Sequence, residues 1–322
     1  SLAGTLAPLG LRRHLSALPY AVLLENIAGW RAPRELGATV VVRPLAQLGL
    51  GGASQFDAAR FDAAVRQIAP CSLILLPQML RAWCVHLQTT AQRSPPSLKF
   101  VAVGGAAVGA AWIHAAQALG MPVYEGYGLS EGASVQTLNV PGAQRAGSVG
   151  RALAHAQIQV APDGELLVRG ALFSGYLGES DRVAHWWPTG DVGRVDDDGF
   201  VYVSGRKRHV LITAFGRNVS PEWVETTLCA QPAIAQAVVF GEGAARLWAV
   251  LWPASAQTDV QTMEVAVAAA NAQLPDYARV DHWMIASVPF HAASGLATPN
   301  GRARREAVWQ RFADAPRSLT LS

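Results

Sequence analysis

Lysine is nearly missing from this sequence: Lys99 and Lys207 are the only two, so arginine supplies 24 of the 26 basic side chains (26 − 2). Any step that needs a lysine ammonium has two candidates. Cysteine is equally scarce. Cys71, Cys84 and Cys229 are scattered, with no Cys-x-x-Cys pair, which argues against a disulfide framework or a thiolate zinc site and for reduced thiols. Charge is sparse too, at 15% of residues with a net of +3, too weak a balance to suggest nucleic acid as a partner. No apolar run approaches the ~20 residues of a membrane-spanning helix and no secretory signal pattern is seen, so a cytoplasmic protein without a transmembrane segment is expected. What is present is apolar: 51% of 322 residues, enough for a packed α/β protein with room for two domains.

The stretch 205–225, GRKRHVLITAFGRNVSPEWVE, organises the rest. It opens on Gly205 and a knot of cations, Arg206, Lys207, Arg208 and His209, and runs into a short apolar strand at 210–212. A glycine turn at Gly216 precedes a helix start, with Ser220 as N-cap, Pro221 at the first helical position, and Glu222 and Glu225 near the positive helix end. The chain before it is glycine-rich and the chain after it alanine-rich and helical. The stretch is read as a joint between residues 1–205, comprising an α/β part (1–140) and a β-rich lobe (141–205), and residues 206–322, an α+β unit.

Apolar periodicity predicts a helix over 20–30 and a strand over 38–42, then a helix over 56–69, a strand over 72–76, a helix over 78–88, a strand over 98–103, a helix over 112–119 and a strand over 121–124. This alternation implies a parallel sheet covered by helices, with ligands beyond the carboxyl ends of its strands. Two loops fall there, 104–107 and 125–132. The β-rich lobe reads as strands at 158–160, 165–169, 173–177, 192–195 and 200–203, with glycine turns at Gly164 and Gly199. The last unit reads helix (221–231), strand (234–240), strand (247–252), helix (260–274), strand (282–287) and helix (304–312).

Several short motifs carry two readings each. The loop Gly104-Gly105-Ala106-Ala107 serves either a ligand or simply a strand-to-helix turn that needs small residues. In 124–132, YEGYGLSEG, the glycines at 126 and 128 let the backbone turn sharply around Tyr127, and Ser130 and Glu131 follow. An aromatic face, a hydroxyl and a carboxylate so close together suit a base, a phosphate oxygen and Mg²⁺; the alternative is a surface turn with one buried tyrosine. Asp191, after Thr189-Gly190, suits a vicinal diol such as a ribose, or is a turn aspartate bonding its own backbone. The loop 297–302, tipped by Arg302, is either a charged site loop or a plain helix entry.

Taken together, their order is specific. Gly104-Gly105-Ala106, Tyr127-Gly128 with Ser130-Glu131, Gly147 to Arg151, Gly164 to Gly170, Gly175 to Leu177, Thr189-Gly190-Asp191, Asp198 to Tyr202, Gly205-Arg206, Gly216 to Pro221 and Pro299-Asn300-Gly301 run in a series that resembles the adenylate-forming superfamily of acyl-CoA synthetases, nonribosomal peptide adenylation domains and luciferases. Leu18-Pro19 with Glu25, and the wording of 216–225, look most like long-chain fatty acyl-CoA synthetases.

The resemblance implies a two-step reaction in which a carboxylic acid, fatty by this likeness, is activated by ATP to acyl-AMP and then passed to CoA or to a carrier-protein phosphopantetheine. It implies that Tyr127 stacks on adenine with Gly128 beside it, that Gly105 and Ala106 line the adenine and acyl pocket, that Ser130 contacts phosphate and that Glu131 holds Mg²⁺. Asp191 and Arg206 would bind the ribose hydroxyls, Arg208 would fall at the hinge of a mobile C-terminal domain, and Gly216 would line the pantetheine tunnel. Arg302 takes the place of the family's catalytic lysine, a swap of a planar guanidinium for a compact ammonium. His209 stands where an acidic residue is common, and Val22 where long-chain enzymes often place histidine. The family's phosphate loop, ending in Pro-Lys, has no match in residues 1–18. The resemblance therefore implies an incomplete large N-terminal domain and a C-terminal fragment that forms no acyl-AMP alone. Two other readings stand beside it: an acyl- or aryl-AMP ligase that loads a carrier protein, and a degenerate nucleotide-binding protein without catalysis.

Overall fold

The computed structural model describes residues 1–51, 55–179, 185–298 and 301–312. The chain divides into two compact units, Ser1–Arg208 and His209–Ser322.

The first unit is built on strands β1 (Arg13–Leu15), β2 (Thr39–Val41), the small hairpin β3 (Leu50–Gly51) and β4 (Gln55–Phe56), β5 (Ser72–Leu75), β6 (Phe100–Val103), β7 (Val123–Leu129), β8 (Ser134–Leu138) and β9 (Arg151–Ala152). Seven of them form one sheet in the order β2-β1-β5-β6-β7-β8-β9. It is parallel from β2 to β7 and antiparallel from β7 to β9. Every residue of β5 is buried, as expected of a parallel strand covered on both faces. Helices α1 (Leu2–Leu6), α2 (Ala32–Glu35), α3 (Ala58–Ile68), α4 (Pro77–Thr89) and α5 (Ala110–Ala118) belong to the same unit. Helix α3 starts where Asp57 accepts the Arg60 N–H at 3.0 Å and ends in a left-handed Ala69. Its Phe61 meets Trp83 of α4 edge-on at 5.1 Å, and both rings join Leu15, Leu73, Leu75 and Val101 in the core.

Four further strands, β10 (Ala156–Val160), β11 (Glu165–Gly170), β12 (Trp187–Val195) and β13 (Val201–Arg206), make an antiparallel sheet in that order. Glycines in left-handed conformation turn the chain at Gly164 (φ +85°) and Gly199 (φ +79°).

The second unit opens with a hairpin, β14 (Leu211–Ile212) and β15 (Asn218–Val219), followed by α6 (Pro221–Cys229). Strands β16 (Ile234–Phe240), β17 (Leu247–Pro253) and β18 (Val280–Ile285) form a three-stranded sheet, with α7 (Val260–Asn271) crossing between the parallel pair β17 and β18. Helix α8 (Arg305–Phe312) packs its Val308 and Phe312 into the core. Glu225, on α6, accepts the Val239 N–H at 2.8 Å and is held by Arg305 at 2.7 Å. Burial nonetheless keeps its carboxyl above the usual range. The α/β class, the β-rich lobe and the small α+β unit are those the sequence implies.

Three local expectations are corrected. Residues 125–132 are not all loop: β7 continues to Leu129 and a 3₁₀ turn, Ser130–Gly132, returns the chain as β8. Residues 173–177 form no strand, because the Phe173 N–H bonds the Glu131 carbonyl at 2.7 Å rather than a sheet ladder. The helix expected over 20–30 is a π-helix, Glu25–Arg31, that runs into α2. Among the described residues no helix is long and apolar enough to cross a membrane.

Candidate active site

The turn after β6 and the hairpin of β7 with β8 lie backbone to backbone. A Cβ on Gly104 would sit 3.0 Å from the Gly126 carbonyl, so glycine is favoured by close approach rather than by flexibility. Gly105 has φ +89°, a conformation that side chains other than glycine's rarely adopt. Glu125 ties the two segments together: its Oε1 accepts the Val108 N–H at 3.1 Å, and its backbone carbonyl accepts both N–H and Nδ2–H of Asn139. Burial pushes the Glu125 carboxyl up to about 7, against the pull of the Val108 N–H. The sequence reading missed Glu125, although a carboxylate directly after an apolar run is a visible signal.

Gly128 is fixed by a bulge. The β7–β8 register shifts between Tyr127 and Gly128, and a Cβ there would run into the Ser134 carbonyl. Across the turn, Ala133 (φ +55°) and Ser134 (φ +86°) hold left-handed conformations without being glycine. Such strain persists only where surrounding structure enforces it, and it concentrates at functional sites.

The antiparallel register of β12 on β13 sets Asp191 opposite Arg206. Their side chains form an ion pair, Arg206 Nε to Asp191 Oδ1 at 2.8 Å. The Tyr127 hydroxyl donates to the other oxygen, Asp191 Oδ2, at 2.6 Å. Asp191 is held from behind as well, where its N–H bonds Thr189 Oγ1 at 3.0 Å and Thr189 bonds the Leu166 carbonyl at 2.7 Å. The half-buried Tyr127 ring packs on the apolar cluster Val149, Leu166 and Val201. Burial first, then the Asp191 carboxylate, raise its phenol above the usual tyrosine range. Three residues named from separate motifs are thus one hydrogen-bonded constellation.

Glu131 sits in the turn between β7 and β8. Its Oε1 accepts the Tyr176 hydroxyl at 2.8 Å, which raises the Tyr176 phenol. Tyr176 belongs to an aromatic group with Phe173 and Trp187, with centroids 4.9 Å apart for Phe173 with each. The segment 171–179 therefore lies over the Ser130–Glu131 turn, and the sequence reading did not foresee Tyr176 as a partner of Glu131. Ser130 and Ala106 are exposed. Among the described residues no three His, Cys, Asp or Glu side chains cluster as a metal cage. A lone, half-exposed carboxylate still fits Mg²⁺, which keeps several waters and takes one or two carboxylates plus substrate phosphates.

The cation knot is sorted by the fold. Arg206 goes to Asp191. Lys207 bridges Asp163 and Glu165 at 2.6 and 2.7 Å, while Glu165 also accepts the Gly190 N–H at 2.8 Å. Arg208 is exposed and closes the first unit. His209, in the second unit, pairs with Glu222 at 2.5 Å, and that contact, with Arg305, holds the Glu222 carboxyl below its usual range despite the larger upward push of burial. Gly216 (φ +70°) tips the β14–β15 hairpin, where the Thr213 carbonyl accepts its N–H at 2.8 Å. Arg302 is exposed and closes a tight turn: its N–H donates to Thr298 Oγ1 at 3.2 Å and its carbonyl accepts the Thr298 N–H at 2.8 Å. Pro299 and Asn300 lie outside the described residues. Gly216 and Arg302 belong to the second unit, as do His209, Glu222 and Arg305, whereas Gly105, Ala106, Tyr127, Gly128, Ser130, Glu131, Asp191, Arg206 and Arg208 belong to the first.

Comparison with known proteins supports the resemblance to the adenylate-forming superfamily. The long-chain-fatty-acid–CoA ligase FadD15 of Mycobacterium bovis is 33% identical over 239 residues, which take in 65% of this chain and 40% of that protein. The crystal structure of the anthranilate CoA ligase AuaEII in complex with anthranoyl-AMP superposes with a TM-score of 0.80 at 20% identity, over 96% of this chain and 62% of that one. The O-succinylbenzoate coenzyme A synthetase of Bacillus subtilis, in complex with ATP and magnesium ion, gives 0.71 at 22% identity, over 91% and 62%. At such identities these two likenesses carry the fold alone. The chain thus spans less than two thirds of the length of these relatives. The model of the AMP-binding enzyme family matches residues 7–177, and that of the AMP-binding enzyme C-terminal domain matches residues 208–317. With the first model alone covering more than half of its length, the chain belongs to the AMP-binding enzyme family, within the adenylate-forming superfamily.

Proposed function

We propose that the chain serves ATP-dependent activation of a carboxylic acid, with a fatty acid as the substrate class and CoA as the acceptor. The observation that carries this is the Tyr127–Asp191–Arg206 constellation beside the Gly104–Val108 turn. A carboxylate offers about four lone-pair directions. Tyr127 and Arg206 each engage one oxygen of Asp191, fixing a carboxylate of the kind that accepts hydrogen bonds from the vicinal hydroxyls of a ribose. The Tyr127 ring supplies a face for adenine, and the strained Gly128–Ser134 turn would hold Ser130 at the phosphates.

In the reaction so read, a carboxylate oxygen of the acid attacks the α-phosphorus of ATP and the bond to the β-phosphate oxygen breaks, releasing pyrophosphate. The thiol sulfur of CoA then attacks the acyl carbon and AMP departs. Negative charge develops on phosphate oxygens in the first step, and fixed cations placed there lower the barrier. Arg302 would supply that charge from the second unit, in place of a lysine. Glu131 would hold Mg²⁺, which would neutralise phosphate charge when bound. Arg208 would be the hinge position and Gly216 a wall of the thiol channel. Orientation of the reactants supplies much of the remainder.

A second reading, an aryl acid as substrate, draws on the likeness to the 2-succinylbenzoate–CoA ligase of a Geobacillus species, 32% identical over 167 residues. Transfer to a carrier-protein phosphopantetheine is separated from transfer to CoA by product analysis. A third, nucleotide binding without catalysis, draws on Arg302. Calorimetric titration with AMP tests the common core of all three: micromolar binding lost in Asp191→Asn supports the nucleotide site, and unchanged binding in that variant removes it. Pyrophosphate release with ATP, Mg²⁺ and acids of graded chain length, aliphatic against aromatic, measured on the full-length protein that the resemblance implies beside this chain, then separates them.

A further inference from the structure

The parallel sheet has two ends, and the constellation above uses only the carboxyl end. At the amino end lies a solvent-open cavity of about 320 Å³ lined by Arg12, Arg13, Thr39, Cys71 and Lys99. The register explains how they meet. Arg12 directly precedes β1 and Arg13 begins it, Thr39 begins β2, Cys71 directly precedes β5 and Lys99 directly precedes β6. All four strands are parallel neighbours, so residues from four distant segments are gathered on one edge.

Three of these residues are cationic, and the chemistry around them is one-sided. Among the described residues none of the three makes an ion pair with a carboxylate. The Arg13 guanidinium is instead anchored, Nη1 to the Ile68 carbonyl at 2.9 Å. Like charges converging without a counterion repel, and an anion seated between them relieves that repulsion. Lys99 adds to the interest as one of only two lysines in the chain. The floor is fixed by Cys71, whose Sγ accepts the N–H of Arg12 and of Arg13, each at 3.1 Å, and donates to the Arg13 carbonyl at 3.1 Å. No aromatic side chain is among the lining residues, so the cavity offers no face for a nucleotide base. Its volume is near the lower limit of about 300 Å³ for small-molecule sites, room for a phosphate group with a small organic body.

We propose that this amino-end cavity is a second ligand site, which binds a phosphate dianion through Arg12, Arg13 and Lys99, separate from the nucleotide site. Free phosphate and a small phosphomonoester share this chemistry. The test is calorimetric titration of the chain at low ionic strength, where screening is weak, with inorganic phosphate in one arm and glycerol 3-phosphate in the other. Saturating AMP is present throughout, so that the nucleotide site is filled. The expected result is one site per chain, weakened roughly tenfold in an Arg12→Gln, Lys99→Gln double variant, since each exposed charge pair is worth up to about 1 kcal/mol. Arg13 is left in place because its guanidinium has a structural partner. Binding should persist in Arg206→Gln, which separates this site from the nucleotide constellation and lets either reading fail without the other. The tighter arm identifies the source of the dianion. The proposal is overturned if neither anion binds below about 10 mM, if the double variant, shown folded by circular dichroism, binds as wild type does, or if Arg206→Gln abolishes the signal.

Discussion

Tyr127 and Asp191 are 64 residues apart in the chain, and the hydroxyl of one donates to the carboxylate of the other at 2.6 Å. The contact joins the sheet of the α/β part to the antiparallel sheet of the β-rich lobe, and Arg206 completes it from the neighbouring strand. Removing the charge tests both stability and binding. Asp191→Asn is expected to cost about 1.5–3 kcal/mol in urea unfolding, the range for a hydrogen bond to a charged group. It should also weaken AMP binding by roughly tenfold or more. Tyr127→Phe keeps the ring and should change AMP affinity by no more than about threefold, whereas Tyr127→Ala, which removes the stacking face, should cost more. Equal losses in the two tyrosine variants would deny the ring its role.

Glu125 makes stability depend on pH in a direction opposite to that of most carboxylates. Its folded value, about 7, lies above the ordinary 4.5. The native state therefore holds a proton that the unfolded chain has released, and stability falls as pH rises from about 4.5 to about 7, then levels. Glu125→Gln keeps an oxygen for the Val108 N–H and abolishes the titration. The difference in unfolding free energy between wild type and variant should therefore move by up to roughly 3 kcal/mol in favour of the variant between pH 5 and pH 8. A difference that stays constant with pH would refute the assignment.

Gly128 and Gly4 separate close approach from mere flexibility. A Cβ at Gly128 meets the Ser134 carbonyl, while one at Gly4 meets nothing within 4 Å. Gly128→Ala should destabilise by about 1–3 kcal/mol, as overpacking does, and should lower AMP affinity because it displaces the Ser130–Glu131 turn. Gly4→Ala, in helix α1, should stabilise by up to about 1 kcal/mol. Thermal melts of both variants decide this.

Arg302 carries the prediction about catalysis. If its guanidinium stabilises charge on the α-phosphate, Arg302→Ala in the full-length protein that the resemblance implies should lower pyrophosphate release by roughly 10²–10³-fold, the loss seen when one transition-state donor is removed, with little change in AMP binding. Arg302→Lys should retain most of the release. Restoration of turnover by lysine in a protein that shows none with arginine would instead favour the non-catalytic reading.

Much of the candidate site is readable from the residues alone. The alternation of apolar runs, the glycine turns at Gly164 and Gly199, and the Ser220–Pro221 helix start depend on local geometry, which the side chains dictate within a few residues. The motif residues Tyr127, Glu131, Asp191 and Arg206 are visible only through the order of the motifs and the family resemblance which that order carries. Their meeting is not, because strand register and sheet order place residues from separate segments side by side, and no local rule specifies either. Residues 173–177 have the composition of a strand, yet Phe173 spends its N–H on Glu131 and packs its ring on Tyr176 and Trp187. Tertiary structure likewise sends Arg206, Lys207 and His209, close in sequence, to different carboxylates. It also buries Glu125 deeply enough to raise its carboxyl. Local propensity acts over a turn of chain; burial and charge pairing depend on everything that packs around a side chain, and only the folded molecule determines that.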